Sequence, residues 1–146
     1  MYDIKRIGKI IADIQKYLAE LKRYNIQNSS DLNESMKYHA TAMLLFALLD
    51  RIIDLGTEAV IAEDLGMPQT HRDIMPLLAK ANVLNKEHAE KINTLIKERN
   101  KIAHLYEEIT PKQLFSIVNA LPIIEQFLTT IKKRIRQKEE HEEDTS

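Results

Sequence analysis

The sequence predicts an all-α protein, an up-and-down bundle of about five helices, and three observations predict it. Apolar residues recur at three- to four-residue spacing along most of the chain. Only 3 glycines and 4 prolines interrupt 146 residues. Leu, Ile, Ala, Lys and Glu dominate, a composition that favours helices. No strand pattern exceeds a few residues, and no internal repeat is visible. A chain of this length is expected to be one domain, here residues 1–137, followed by a charged, flexible tail over 138–146. It is long enough to bury roughly two-thirds of its unfolded surface, so its core needs neither metal nor disulfide.

The first helix is expected over about residues 2–25. Ile4, Ile7, Ile11, Ile14, Leu18 and Leu21 form one apolar stripe. Lys5, Lys9, Asp13, Lys16, Glu20 and Arg23 fall off it. The polar stretch NIQNSS ends it. A long second helix is expected from near Asp31, where Asp31 and Glu34 have the spacing of a capping box, to about Glu63. From Ala40 to Leu49 it is apolar nearly all round, so it should be the central buried element. Gly56 is either a tolerated weakness or a close-packing point. EDLGMPQT, with Gly66 and Pro68, reads as a loop. A short helix follows over about 71–81, with Pro76 marking a local break. A fourth helix starts after Asn85, a plausible N-cap. Thr110, Pro111 and Gln113 then give the clearest start signal in the chain, a capping box with proline at the first helical position. Pro122 should kink this last helix.

Composition excludes several functions. There is no cysteine, hence no disulfide scaffold, thiol nucleophile or thiolate metal site. The lack of cysteine fits a reducing compartment. The N-terminus lacks a signal-peptide core, and no apolar run approaches the roughly 18 residues needed to cross a membrane. A cytoplasmic, soluble protein without cofactor is expected. Net charge is −1, from 21 basic and 22 acidic residues. Many nucleic-acid binders carry a basic excess; here any phosphate contact must come from local clustering or from oligomerisation.

One stretch, KERNKIAHLYEE at 97–108, departs from its surroundings by placing Arg99, Asn100, His104 and Tyr106 within eight residues. On a helical wheel Leu95, Ile102 and Leu105 form the buried stripe, with Arg99 and Tyr106 on its edge. Asn100 and His104 swing to the far face, and the small Ala103 leaves room between the groups. Arg99 and His104, five residues apart, diverge by about 140° on a straight helix. Either the last turn unwinds, or a second copy of the helix interleaves the groups across a two-fold axis.

The chemistry available is narrow. Histidine exchanges a proton near neutral pH. Arginine presents a permanently charged fork suited to phosphate oxygens. Asparagine can orient a reacting group. No metal cluster is spelled out. A histidine that deprotonates a ribose 2′-hydroxyl, with an arginine stabilising the charge that develops on the attacked phosphate, would cleave RNA without a metal. The plainer alternative is a solvated helix end, where positive side chains favour the helix dipole.

RNKIAHLY, residues 99–106, resembles the RxxxxHxY signature of HEPN-superfamily toxins of the HepT type. The similarity extends from His39 to Thr110: a long helix, a proline-then-arginine segment (Pro68, Arg72-Asp73), a short apolar helix ending in ANVLN, then the signature helix. The first thirty residues and the tail match only in general character. The resemblance implies a helical bundle dimerising through its signature helices. It implies an RNase toxin of a type II or VII-like toxin–antitoxin pair, neutralised by a minimal nucleotidyltransferase antitoxin. Arg99 and His104 then fall on the catalytic pair and Asn100 on the supporting polar position. Tyr106 falls on the tyrosine that the antitoxin adenylylates, where AMP would block RNA by charge and bulk. The expected partners are RNA, such as tRNA or mRNA, the antitoxin and a second copy of the chain. DNA and membranes are not expected. Two rival readings remain: a non-catalytic helical module that docks or presents substrate to the nucleotidyltransferase, and a plain helical interaction domain.

Other polar residues have bland readings. His71 and Arg72 suit an exposed helix start, though they could line an RNA groove. Asp50, Arg51 and Asp54 read equally as a local charge set or as groups that orient the site. Lys132, Lys133, Arg134, Arg136 and Lys138 suit a solvated face. His39 and His88 carry no assignment. Tyr17, Tyr24 and Tyr38 read as packing residues.

Overall fold

The computed structural model describes residues 1–104 and 109–145. Among them there is no strand. Six α-helical segments follow in order: α1 (Ile4–Tyr24), α2 (Ser35–Ala62), α3 (Ile74–Lys80), α4 (Lys86–Ala103), α5 (Pro111–Asn119) and α6 (Leu121–Thr145). Two 3-10 turns, Ser29–Asn33 and His71–Asp73, precede α2 and α3. α5 and α6 are one helix broken at Ala120, so the bundle has the five helices expected. The break falls two residues before Pro122, because a proline ring clashes with the carbonyl four residues back and offers no N–H to it. Pro122 itself sits harmlessly in the first turn of α6.

α2 is central and packs against α1, α3 and α4. Leu45, Leu48, Leu49, Ile52, Leu55, Ala59 and Val60 on it are fully enclosed. The run from Ala40 to Leu49 is not buried all round, however. Met43 remains 58% exposed, and Phe46 is only partly covered. Gly56 is a close-packing point: a Cβ there would lie 2.7 Å from Ile74 Cγ2 and 3.0 Å from Met75 Cε. α3 reaches α2 so closely only because that side chain is missing.

Local chemistry sets most helix ends. Asn85 accepts from the His88 N–H and starts α4. Thr110 and Gln113 close a reciprocal capping box with Pro111 in the first turn of α5. The start of α2 differs from expectation. Asp31 instead closes a box with Asn28 around the first 3-10 turn, and Glu34 caps α2, accepting from the Met36 and Lys37 N–H groups. Two acceptors of similar strength three residues apart divided the work, which moved the helix start to Ser35.

The far end of α2 is fastened to both chain termini. The Tyr2 hydroxyl donates to Glu63 Oε2 at 2.6 Å. Arg134 of α6 donates to both Glu63 oxygens, Nη2 to Oε1 at 2.6 Å and Nε to Oε2 at 2.8 Å. Lys138 lies 3.6 Å away, and the N-terminal ammonium donates to the Ala62 carbonyl. Arg134 and Lys138 are thus not the merely solvated charges expected. The expected boundary at residue 138 has no counterpart in the backbone, for α6 runs on through it. Nor is the segment free of a long apolar run. Within 111–144 a window of mean hydropathy 1.5 meets the length and composition of a membrane span. Its apolar residues Leu114, Ile117, Leu121, Ile124, Phe127, Leu128 and Ile131 are spent on the core of the bundle.

Candidate functional site

The last turn of α4 lies against the middle of α2, and their contact builds the site. Ile92, Leu95, Ile96 and Ile102 anchor α4 to the core. Arg99 falls on the same side and meets α2 at Phe46 and Asp50. Its Nε donates to Asp50 Oδ1 at 2.6 Å, and its Cζ sits 5.0 Å above the centroid of the Phe46 ring. Nη1 reaches Asn100 Oδ1 at 3.3 Å. The guanidinium plane is therefore set by a carboxylate on one edge and an aromatic face beneath. It stays 24% exposed, and Asp50 38%.

Asn100 and His104 face solvent, as the wheel requires. α4 stays helical to Ala103, and His104 is its C-cap, with φ −105° and ψ 44° and its backbone N–H on the Lys101 carbonyl. The helix does not unwind early enough to fold His104 back onto Arg99. Within one copy the described helix leaves the two side chains on different faces. Leu105 and Tyr106 belong to 105–108, outside the described residues. The expectation placed on Tyr106 therefore has no structural counterpart here.

Sequence reasoning named Asp50 but grouped it with its neighbours. In the structure Arg51 turns away to Asp13 at 2.7 Å and Asp54 at 3.1 Å, which is the local charge set, while Asp50 alone addresses Arg99. Phe46 was not foreseen at all. The available signal was an aromatic four residues before a carboxylate at the end of an apolar run, which marks one strip of a helix reaching both. Met43 continues that strip outward, so an exposed apolar patch borders the arginine. His88, unassigned from sequence, is a core residue: 5% exposed, Nε2 at 3.1 Å from the Ile123 carbonyl, ring edge-on to Phe127. Tyr38 packs likewise and donates to the Ile109 carbonyl at 2.6 Å. Among the described residues no three His, Asp or Glu side chains gather as a metal-ligand set.

An exposed histidine and an oriented arginine sit at one helix terminus of a helical protein, beside an exposed apolar strip. Known proteins give this chain a family. The family model of ribonuclease HepT-like proteins matches residues 9–131, and the chain belongs to that family. The mRNA nuclease HepT of Shewanella oneidensis is 26% identical over 130 residues, covering 88% of this chain and 87% of that protein. A tri-AMPylated HEPN toxin of Shewanella oneidensis, solved in complex with an MNT antitoxin, superposes with a TM-score of 0.81 at 25% identity over 91% of this chain and 99% of that one. YutE of Bacillus subtilis, described as a cytosolic protein of unknown function, gives 0.81 at 20% identity over 94% and 95%. The fold is that of the HEPN toxins.

Proposed function

We propose that the protein is an endoribonuclease toxin, acting in the cytoplasm without a metal. Its site would be completed by two copies of the chain and silenced by a nucleotidyltransferase antitoxin. The observation that carries the reading is the state of Arg99. Asp50 holds Nε, Asn100 accepts one Nη1 hydrogen and Phe46 supports the plane, so the guanidinium is oriented without being saturated, and Nη2 with the second Nη1 hydrogen remains for a phosphate. Family membership supports the reaction class. The Shewanella toxin solved with its MNT antitoxin supports the partner.

In the proposed reaction His104 takes the proton of a ribose 2′-hydroxyl, and the 2′-oxygen attacks the adjacent phosphorus. Arg99 stabilises the charge on the non-bridging oxygens. The bond to the 5′-oxygen of the next nucleotide breaks, and that oxygen receives a proton from an imidazolium. The products end in a 2′,3′-cyclic phosphate and a 5′-hydroxyl. Asn100, bonded to Arg99, keeps the fork in place. The second copy would cover Met43 and Phe46, bringing its own His104 towards Arg99 and doubling the local positive charge of an otherwise near-neutral chain. AMP on Tyr106 would set negative charge and bulk two residues from His104 and exclude RNA.

The test is cleavage of total and transfer RNA in EDTA by wild type, His104→Ala and Arg99→Ala. Cyclic-phosphate ends from wild type alone are expected. A dimeric, unmodified wild type that cleaves nothing would reject the nuclease and leave a module that docks the nucleotidyltransferase.

A further inference from the structure

Five further residues of α4 share a helical face with His104. Lys86, Glu90, Asn93, Lys97, Asn100 and His104 follow one another at intervals of four, three, four, three and four, and so line one side of the helix. All are exposed except Asn93. At the N-terminal end of this strip a cleft of about 340 Å³ opens between α3 and α4. Pro76, Ala79 and Ala89 supply apolar walls, and Lys80, Lys86 and Asn93 supply polar ones, with Glu90 beside them.

Two features of this cleft are unexplained by the bundle. The first is Asn93. Its Nδ2 donates to the Arg72 carbonyl at 3.2 Å, which fixes the amide so that Oδ1 points the other way. Oδ1 is buried and has no hydrogen-bond partner. A buried acceptor left unmade costs stability that a bound donor would restore. The second is charge. Arg72, Lys80, Lys86 and Lys97 are exposed, and none of them is among the cations ion-paired within 4.0 Å. Unpaired cations occur elsewhere too, Lys5, Lys16 and Lys37 among them, but at this cleft two of them, Lys80 and Lys86, line one opening.

We infer that the α3–α4 cleft is a nucleotide subsite for the single-stranded RNA that the protein cleaves, a few nucleotides from the scissile bond. The inference rests on the nuclease reading above. The RNA backbone leaves His104 and follows the strip past Lys97. A base enters the cleft, its flat face against Pro76 and Ala89, and the Asn93 amide turns Oδ1, enclosed in the free chain, towards an exocyclic amine of that base. Lys80 and Lys86 take the flanking phosphates. Asn93 lies eleven residues from His104, about 16 Å along the helix axis, too far for the nucleotide being cleaved and close enough for one on the same strand. Adenine, cytosine and guanine carry such an amine, whereas uracil offers only its ring N3–H between two carbonyls, so the subsite favours the first three over uracil.

The experiment compares wild type, Lys80→Gln/Lys86→Gln and Asn93→Ala, each checked for an unaltered thermal transition. Cleavage and fluorescence-anisotropy binding are read with single-stranded oligonucleotides of decreasing length. Loss of two phosphate contacts should weaken binding of long RNA roughly tenfold at physiological salt and flatten its salt dependence. The cleavage defect should appear in KM and shrink as the RNA becomes too short to reach the cleft. Asn93→Ala should erase the preference against uracil at one position and leave the salt slope alone. Equal binding and cleavage by wild type and the double variant at every length would overturn the subsite while leaving the nuclease standing. A wild type that cleaves nothing would sink the nuclease, and the binding arm would still judge the cleft. A double variant that loses only the nucleotidyltransferase partner would assign the cleft to that protein and reject the RNA.

Discussion

Arg134 meets the carboxylate that caps the central helix and Arg99 one on its middle turns, and the two pairs have opposite characters. At one end Glu63 is 4% exposed, gripped by both donors of Arg134 and further donated to by Tyr2. Every oxygen lone pair worth using is used, and the cluster ties α6 and the N-terminus to α2. Midway along α2 Asp50 and Arg99 share one short bond and both remain partly in water. The first carboxylate is enclosed and fully donated to, although Arg134 itself stays 29% exposed. The second stays open on the carboxylate side, and in the proposed reading its arginine serves an anion site. Saturation of the carboxylate, rather than the presence of an ion pair, separates the fastening from the pair proposed as a half-site.

The comparison can be broken or sharpened by experiment. The largest effect belongs to the open pair's neighbour: His104→Ala should lower RNA cleavage by at least about a hundredfold with an unchanged melting temperature, and Arg99→Ala by a similar factor. Circular dichroism beside the cleavage assay separates the two readouts. Glu63→Ala should do the reverse, costing about 3 kcal/mol in denaturant unfolding because it strands Arg134, with little change in activity per folded molecule.

The closed pair also has a pH signature. Burial alone would raise the Glu63 carboxyl, but the hydrogen bonds from Arg134 and Tyr2 outweigh it and bring it down from 4.5 to about 2. A carboxylate lowered in the folded state stabilises above its unfolded value and loses that contribution as pH falls through the folded one. Stability should therefore drop between about pH 4.5 and 2 by up to about 3 kcal/mol, and Glu63→Gln should flatten that stretch of the curve. Gly56→Ala comes next, costing about 1–3 kcal/mol by forcing Ile74 and Met75 aside. Asp50→Asn should be smallest in stability, less than about 1 kcal/mol. It should still slow cleavage through kcat, since it loosens the arginine rather than removing it.

How much of this was legible in the sequence follows from range. Periodicity and caps are local, so the bundle, the Asn85 cap and the Thr110–Gln113 box could be read directly. Where two local signals competed, as Asp31 and Glu34 did, the boundary slipped by a few residues. The candidate motif was legible too, because Arg99, Asn100 and His104 lie within six residues of one another. What was not legible lies far apart in the chain. Asp50 reaches Arg99 across 49 positions and Glu63 reaches Arg134 across 71, and no spacing rule connects such residues before the helices are packed. Asp50 was further masked by Arg51 beside it, a nearer but wrong partner. From sequence Met43 and Phe46 belong to the core, because an unbroken apolar run carries no mark of which face will stay uncovered.

The central claim is that one copy lends Arg99 and another lends His104 to the same site. Complementation tests it most directly: Arg99→Ala and His104→Ala chains are co-expressed, the mixed dimer is isolated through two affinity tags, and its cleavage of RNA is measured. If the site is composite, the mixed dimer contains one intact pair and recovers about half of wild-type activity, although each parent is inactive. If both residues act within one chain, every pair in the mixed dimer is broken. A mixed dimer as inactive as its parents would contradict the account.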